Sequence, residues 1–256
     1  MSNVTDLLAR ISVPKLTQPC RRKSILLKGK SGTGKTWNAL HMPGPILVIA
    51  ADPNRMTLEM MQTQRDDITE VYIDKWTDFD PHLINLIKNR ELEYETIVVD
   101  TADMLYGVLV DKERGTKAKL GFDEWANVLN AQRRVTFELV QSCRPQSGKR
   151  DYNLVATAHI QEQTNSDGNL LRYETAIQGS FRSKIEAYFD LVLLSDDETK
   201  FVDVPGGPKT RKKTTFIRTI SPDNYHTCKA PLHWPARVGS LEEILKIIDE
   251  DLSTTS

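Results

Sequence analysis

Eight consecutive residues near the start of the chain have the composition of a phosphate-binding loop. They read Gly29-Lys30-Ser31-Gly32-Thr33-Gly34-Lys35-Thr36 and satisfy the pattern G-x-x-x-x-G-K-[ST]. Glycines allow backbone N–H groups to turn inward around a polyphosphate, Lys35 reaches the outer phosphates, and Thr36 offers its hydroxyl to magnesium. We therefore expect all eight residues to bind the phosphates of ATP, with Mg²⁺ as a second cofactor.

The flanking sequence places this loop where such loops function. The apolar run Ile25-Leu26-Leu27 precedes it, and a helix-compatible segment follows it. A helix that begins at the loop directs its positive dipole end toward the phosphates. The alternative is a glycine-rich turn without a ligand, and the preceding strand argues against that alternative.

A second candidate residue is the carboxylate that ends the apolar run Thr96-Ile97-Val98-Val99-Asp100. A buried strand of this kind places one anion at the carboxyl edge of a sheet, where a magnesium-side ligand is needed. In the alternative interpretation, Asp100 only caps the helix that follows. Together with the loop, the pattern favours Asp100 as a metal ligand beside Thr36.

A third acidic residue, Asp52, follows the run Ile49-Ala50-Ala51. At the end of a strand its carboxylate is placed to polarise a water molecule that attacks the γ-phosphate. An aspartate before Pro53 is also a common turn opening. The sequence leaves these two interpretations equally open.

A polar cluster follows the candidate strand Leu154-Val155-Ala156-Thr157, and it contains His159, Gln161 and Gln163. A side chain at this position can respond to the presence of the terminal phosphate, and His159 is the preferred sensor. A histidine that is only hydrogen-bonded in place is the alternative. The predicted catalytic residues are thus Lys35, Asp52, Asp100 and His159.

The elements that must position these residues alternate between short apolar runs and segments of helical length, which is typical of an α/β fold with a mostly parallel central sheet flanked by helices. Several runs are apolar at successive positions, as strands buried on both faces are. The predicted strands are Ser24 to Lys28, Ile46 to Ala50, Glu70 to Ile73, Thr96 to Asp100, Asn153 to Thr157 and Leu191 to Leu194.

Helix-compatible spacing covers three internal segments, Met56 to Gln64, Pro81 to Asn89 and Phe122 to Ser142. Near the end of the chain, Ser240 and Glu243 form a capping-box pattern that predicts a final helix. We divide the chain into an N-terminal extension (1–22), an ATPase core (23–230) and a C-terminal helical segment (231–256).

The composition is that of a globular protein, with 39% hydrophobic and 27% charged residues in 256. The net charge of −1 excludes a general attraction of the whole molecule to nucleic acid. The three cysteines, Cys20, Cys143 and Cys228, have no C-x-x-C spacing, which favours a reduced, intracellular chain. No signal peptide or membrane-spanning run is visible, so we expect a cytoplasmic protein without a membrane partner.

Three polar stretches are predicted to be mobile loops: Asp111 to Gly121, Gln161 to Asn169 and Val204 to Lys213. The basic run from Lys209 to Lys213 contains no acidic residue and is the better candidate for contacts with a phosphate backbone. Arg172 and Tyr173 have the types that hold a nucleic acid strand by charge and stacking, although a short surface hairpin is the more ordinary explanation.

With both phosphate motifs in place, the order of elements from Lys23 to Leu194 resembles the RecA-like P-loop core, and most closely the compact phage ATPases grouped with Sak-type single-strand annealing proteins. That resemblance implies a catalytic carboxylate at Asp52, where RecA-like proteins usually carry Glu, and a sensor at His159. It implies DNA contacts in the loops Asp111 to Gly121 and Gln161 to Tyr173. Arg218 and Lys229 would project toward a neighbour's nucleotide.

The same loop also resembles the signature-lysine loop of partition and cell-division ATPases, with Lys30 at the signature position and Ser31 where that group has Gly. Three hypotheses follow. The first is a homo-oligomeric ATPase stimulated by single-stranded DNA in phage-type recombination or replication. The second is a nucleotide-gated protein-interaction module with slow turnover. The third is a small-molecule kinase, for which no acceptor-site motif is visible.

Overall fold

The computed structural model describes residues 22–146, 149–202 and 210–254. Their strands are β1 (Ser24–Gly29), β2 (Ile46–Ala50), β3 (Ile68–Tyr72), β4 (Thr96–Asp100), β5 (Asn153–Thr164), β6 (Leu170–Thr175), β7 (Leu191–Val202), β8 (Thr210–Arg218) and β9 (Arg237–Val238). All six predicted strands are present, and β5 and β7 continue well beyond the residues that sequence pattern assigned to them.

The strands form one sheet in the order β3-β2-β4-β5-β1-β7-β8-β9, with β6 paired to the outer half of β5. From β3 to β7 every neighbouring pair is parallel, whereas β8, β9 and β6 are added antiparallel. Because parallel strands end at a common edge, β1, β2, β4 and β5 bring their carboxyl ends together. The predicted α/β fold class, a mostly parallel central sheet flanked by helices, is confirmed.

The helices are α1 (Lys35–Ala39), α2 (Met56–Gln62), α3 (Ile84–Asn89), α4 (Ala102–Arg114), α5 (Phe122–Gln141) and α6 (Leu241–Thr254). The three predicted internal helices are confirmed to within two residues at most ends. An irregular helical turn, Asp78–Leu83, leads into α3. Asp80 has extended backbone angles (φ −123°, ψ 116°), so the helical segment is interrupted just before Pro81, the residue predicted to begin this helix.

Both faces of the sheet are buried, and alternate residues of each strand contribute to two separate cores. On one face Leu26, Ile97 and Leu154 pack with residues of α3, α4 and α5. On the other, Ile25 and Val98 pack with residues of α1, α2 and α6. Since every side chain of these central segments is buried, the strands read as continuous apolar runs in the sequence.

The final helix closes the second core. Leu241, Ile244 and Ile248 of α6 are buried in the same cluster as β1. The amide of Glu243 donates to the Ser240 hydroxyl at 3.3 Å, and the Glu243 carboxylate accepts from the amide of Gly239 at 2.6 Å. The capping pattern read from the sequence therefore starts this helix, although the carboxylate reaches one residue further back than a standard capping box.

The three predicted loops need correction. Residues Gln161 to Thr164 extend β5 and pair with β6, so this stretch is an ordered hairpin rather than a loop. Asp111 to Arg114 form the last turn of α4. Residues 203–209 lie outside the described part of the chain, but Arg211, Lys212 and Lys213 belong to β8. Polar composition misled the prediction because hairpins that project beyond a sheet are exposed on both faces.

Candidate active site

The phosphate-binding loop runs from the end of β1 to the start of α1. Gly32 (φ +74°) and Gly34 (φ +85°) adopt left-handed backbone angles that other residues rarely adopt. Gly29 passes so close to β7 that an added Cβ would lie 2.3 Å from the carbonyl oxygen of Ser195. Backbone geometry thus favours glycine at all three glycine positions of the loop. The sequence motif alone does not show the geometric reason for each of them.

Lys35 is buried at the first position of α1, and its ammonium donates to two carbonyls of the loop, Gly29 O at 3.1 Å and Lys30 O at 2.8 Å. Burial lowers the pKa of Lys35, while the carboxylates of Asp103, Asp100 and Asp52 act in the opposite direction. Since α1 has only five residues, its dipole is small, so the Lys35 ammonium is an important source of positive charge at the loop.

Thr36 and Asp100 lie together, as the sequence predicted. The Thr36 hydroxyl is 3.0 Å from Asp100 Oδ1 and 3.1 Å from Oδ2. A second hydroxyl, that of Thr157 on β5, donates to Oδ1 at 2.5 Å. Burial raises the pKa of Asp100, and these two neutral donors only partly offset that effect. Asp100 is therefore a buried carboxyl group that forms no direct ion pair with any of the described residues, so its charged form is poorly stabilised.

These contacts fit Mg²⁺, which binds one or two protein oxygens and takes its other ligands from phosphates and water. The 3.0 Å between the Thr36 hydroxyl and Asp100 is close to the separation of adjacent corners of a magnesium octahedron, about 2.9 Å. A divalent cation there would also offset the cost of burying the Asp100 charge. Thr36 and Asp100 are thus suited to hold the metal.

His159 lies on β5 at the same edge and contacts a residue that the sequence reasoning missed. Asp103, in the first turn of α4, accepts from the backbone amide of His159 at 2.9 Å and lies 3.0 Å from its Nδ1. Burial disfavours the charged form of Asp103, yet the hydrogen bonds from His159 hold its pKa below the ordinary value. The only sequence signal was its position three residues after Asp100.

Asp52 follows β2 at the same edge and is half-buried. Its Oδ1 accepts from the backbone amide of Asn54 at 2.8 Å, which is the turn-forming role considered for it above. Its carboxylate also acts on Lys35 through space. The structure therefore places Asp52 beside the phosphate-binding loop, with one oxygen engaged in the turn.

The residues considered for nucleic acid contact already have partners within the chain. Tyr173 stacks on His226 at 4.3 Å between ring centroids, and Lys30 lies 5.7 Å above the Tyr173 ring. Arg172 pairs with Glu174 at 2.5 Å. Arg172 and Tyr173 thus lie on the β5–β6 hairpin, and each has a partner within the chain.

The two residues considered for contact with a neighbour's nucleotide also have internal partners. Arg218 pairs with Asp196 at 2.7 Å and lies over the ring of Phe216. The Lys229 ammonium donates to the carbonyl of Phe189 at 2.5 Å. Both residues join segments of their own chain at the β7–β8 side of the sheet.

Within residues 22–146, 149–202 and 210–254, none of the helices combines the length and the apolar character that crossing a bilayer demands.

Two solved structures are distantly similar to the chain. An ATPase of the type III secretion system of pathogenic bacteria is 12% identical, with a TM-score of 0.45 over 68% of this chain and 52% of that one. This chain thus spans about half the length of that ATPase. The flagellar accessory protein FlaH from Methanocaldococcus jannaschii is 10% identical, with a TM-score of 0.35 over 88% and 96% of the two chains.

No curated protein matches the chain in sequence. A family model does match, and it covers residues 21–227, which include the phosphate-binding loop, Asp100 and His159. The family is described as an AAA domain. Together with the assembled loop, this match supports nucleotide binding and hydrolysis. The chain belongs to this AAA domain family.

Proposed function

We propose that this protein is an ATPase of phage type that acts on single-stranded DNA in recombination or replication, as a homo-oligomer in the host cytoplasm. The observation that carries the proposal is the path of β5. One continuous strand contains Thr157, which contacts Asp100, then His159, which contacts Asp103, and then the outer hairpin with β6. A change at the nucleotide is thereby transmitted along a rigid element to an exposed surface.

In this proposal, hydrolysis proceeds by in-line attack of water on the γ-phosphate. Lys35 and the loop amides offset charge on the phosphates, and Thr36 and Asp100 would hold Mg²⁺, which would supply further positive charge at the transferring group. Asp52 orients the attacking water through the oxygen that does not accept from Asn54. His159, fixed by Asp103, responds to the terminal phosphate.

Contact with DNA is proposed for the two hairpins that project from this side of the sheet. The outer part of β5–β6 and the basic residues Arg211 and Lys212 of β8 are exposed. Arg172 is 59% exposed despite its pairing with Glu174, so a phosphate can compete for it. Phosphate contacts of this kind confer salt-dependent affinity without sequence specificity.

The first experiment is ATP hydrolysis by the purified protein with and without single-stranded DNA at matched salt. Lys35→Ala measures contaminating activity. We expect turnover to rise about tenfold or more with DNA, and ATP to change DNA affinity. Turnover that ignores DNA but responds to a protein from the same lysate would favour the nucleotide-gated interaction module instead.

Asp52→Asn tests the water-orienting role separately. The amide oxygen of Asn retains the turn with Asn54, so folding and ATP affinity should remain at wild-type levels. We expect hydrolysis to fall about 10²-fold, the usual contribution of a general base. Unchanged hydrolysis with intact binding would show that Asp52 only forms the turn.

A further inference from the structure

The β7–β8 hairpin lies along the phosphate-binding loop. Antiparallel pairing aligns Ser195 with Ile217, Asp197 with Thr215 and Thr199 with Lys213, so alternate residues of both strands share one face. That face contacts the loop. The Ser195 hydroxyl donates to Thr33 O at 2.7 Å, and Thr215 lies beside Gly34.

Lys213 makes the outermost of these contacts. Its ammonium donates to Gly32 O at 2.9 Å and lies 3.6 Å from a carboxylate oxygen of Asp197. Gly32 is midway along the loop, three residues after the end of β1 and three before Lys35. The Lys213 side chain is 43% exposed, so its ammonium is free to change partner.

Lys35 and Lys213 thus share an unusual arrangement. Both ammonium groups donate hydrogen bonds to carbonyl oxygens of the same loop. Lys35 donates to Gly29 and Lys30, and Lys213 donates to Gly32. In these contacts only the ammonium is charged, whereas a phosphate offers several anionic oxygens and so adds attraction between opposite charges. A phosphate group bound within the loop would therefore compete well for either lysine.

The charge of the site also favours a second lysine. Three carboxylates, those of Asp52, Asp100 and Asp103, act on Lys35. ATP adds further negative charge that one lysine and one magnesium ion only partly offset. The remaining basic residue of the loop, Lys30, is directed to the ring of Tyr173. Lys213 is the next ammonium available at the loop.

We propose that Lys213 is a second phosphate-binding lysine of the nucleotide site, which contacts the outer phosphates of a nucleoside triphosphate bound to its own chain. This inference rests on the nucleotide-binding part of the proposed function. When Lys213 exchanges Gly32 and Asp197 for phosphate, β8 is drawn toward the nucleotide. Because Arg211 and Lys212 lie on the same strand, these two basic residues move with it.

Lys213→Ala tests the proposal, and Lys213→Arg keeps the charge. Lys200→Ala is the matched control, because Lys200 lies on the same hairpin but faces away from the loop and pairs with Glu198. The dissociation constants of Mg·ATP and Mg·ADP are measured by calorimetry without DNA. We expect Lys213→Ala to weaken the binding of ATP at least about tenfold and that of ADP less than about threefold. Lys213→Arg should recover most of the affinity for ATP, and Lys200→Ala should bind both nucleotides as wild type does.

Two outcomes would overturn the proposal while wild type binds ATP. One is unchanged ATP affinity in Lys213→Ala. The other is an equal loss for ATP and ADP with a lowered melting temperature and no recovery by Lys213→Arg, which would make Lys213 only a structural cap of Gly32. Lys35→Ala tests whether the loop is the nucleotide site. If this variant binds ATP as tightly as wild type does, the assignment of the site is wrong, and the role of Lys213 is wrong with it. Since DNA is omitted, absence of DNA stimulation would affect only the proposed DNA role.

Discussion

Two buried carboxylates only three residues apart have opposite electrostatic environments. Asp100, at the end of β4, accepts hydrogen bonds from the hydroxyls of Thr36 and Thr157, and burial raises its pKa. Asp103, in the first turn of α4, contacts the ring and the amide of His159, and its pKa is lowered despite burial. The charge of Asp100 is stabilised poorly by the protein, whereas that of Asp103 is stabilised well.

The difference indicates two kinds of function. A buried carboxylate with a raised pKa is destabilised as an anion, so it gains most from a bound cation. A carboxylate that already has a strong partner fixes the position of that partner. We therefore interpret Asp100 as the metal ligand and Asp103 as a positioning residue for His159. The following predictions test this contrast.

The largest expected effect is that of Asp100→Asn on catalysis. Loss of the anion weakens Mg²⁺ binding, so hydrolysis at saturating ATP should fall about 10²-fold or more. Magnesium titration of the hydrolysis rate is the measurement, and Glu198→Gln on the exposed part of β7 is a control. A normal magnesium dependence in Asp100→Asn would contradict the assignment.

Asp103→Asn should have a smaller effect on catalysis. Asparagine keeps the size of the side chain but loses the charge that holds His159. A residue that orients a functional side chain by a hydrogen bond usually contributes about 10-fold to activity. We therefore expect kcat to fall by about this factor and KM for ATP to stay within about twofold of the wild-type value. A change in KM alone would show that Asp103 acts on nucleotide binding rather than through His159.

The same two variants should differ in their effect on the stability of the fold. At neutral pH, Asp100→Asn removes a poorly stabilised buried charge and should not lower the free energy of unfolding. Asp103→Asn removes charged hydrogen bonds and should lower it by about 1–3 kcal/mol. Denaturant unfolding without nucleotide or magnesium gives both values. If Asp100→Asn destabilised the protein as much as Asp103→Asn does, the two carboxylates would not differ in how well the protein stabilises their charge.

The smallest effects concern pH. The pKa of Asp103 is lower in the folded than in the unfolded state, so its contribution to stability is present above the ordinary value of 3.8 and is lost as pH falls through the folded value. The pKa of Asp100 is raised, so its destabilising charge is relieved as pH falls toward 3.8. From pH 7 to pH 5, the stability deficit of Asp103→Asn should stay constant, whereas any advantage of Asp100→Asn should be lost as pH falls from the raised pKa of Asp100 toward 3.8.

Much of the fold could be predicted because its signals are local. The buried runs at Ile25 and Val98 predicted a mostly parallel sheet, since strands covered on both faces lack polar alternation. The outer strands β6, β8 and β9 were missed, because exposed hairpins have the composition of loops. Asp103 was missed for a related reason: an acidic residue in the first turn of a helix ordinarily needs no further explanation.

The sequence by itself determined the phosphate-binding loop and the strand that ends in Asp100, because each is a contiguous pattern whose geometry follows from its own residues. Only the tertiary structure decided which distant residues join them. His159 meets Asp103 from 56 positions away, and Lys213 meets Gly32 from 181 positions away. Those contacts depend on the order of strands in the sheet, which is set by how whole elements pack against each other and not by any local sequence pattern.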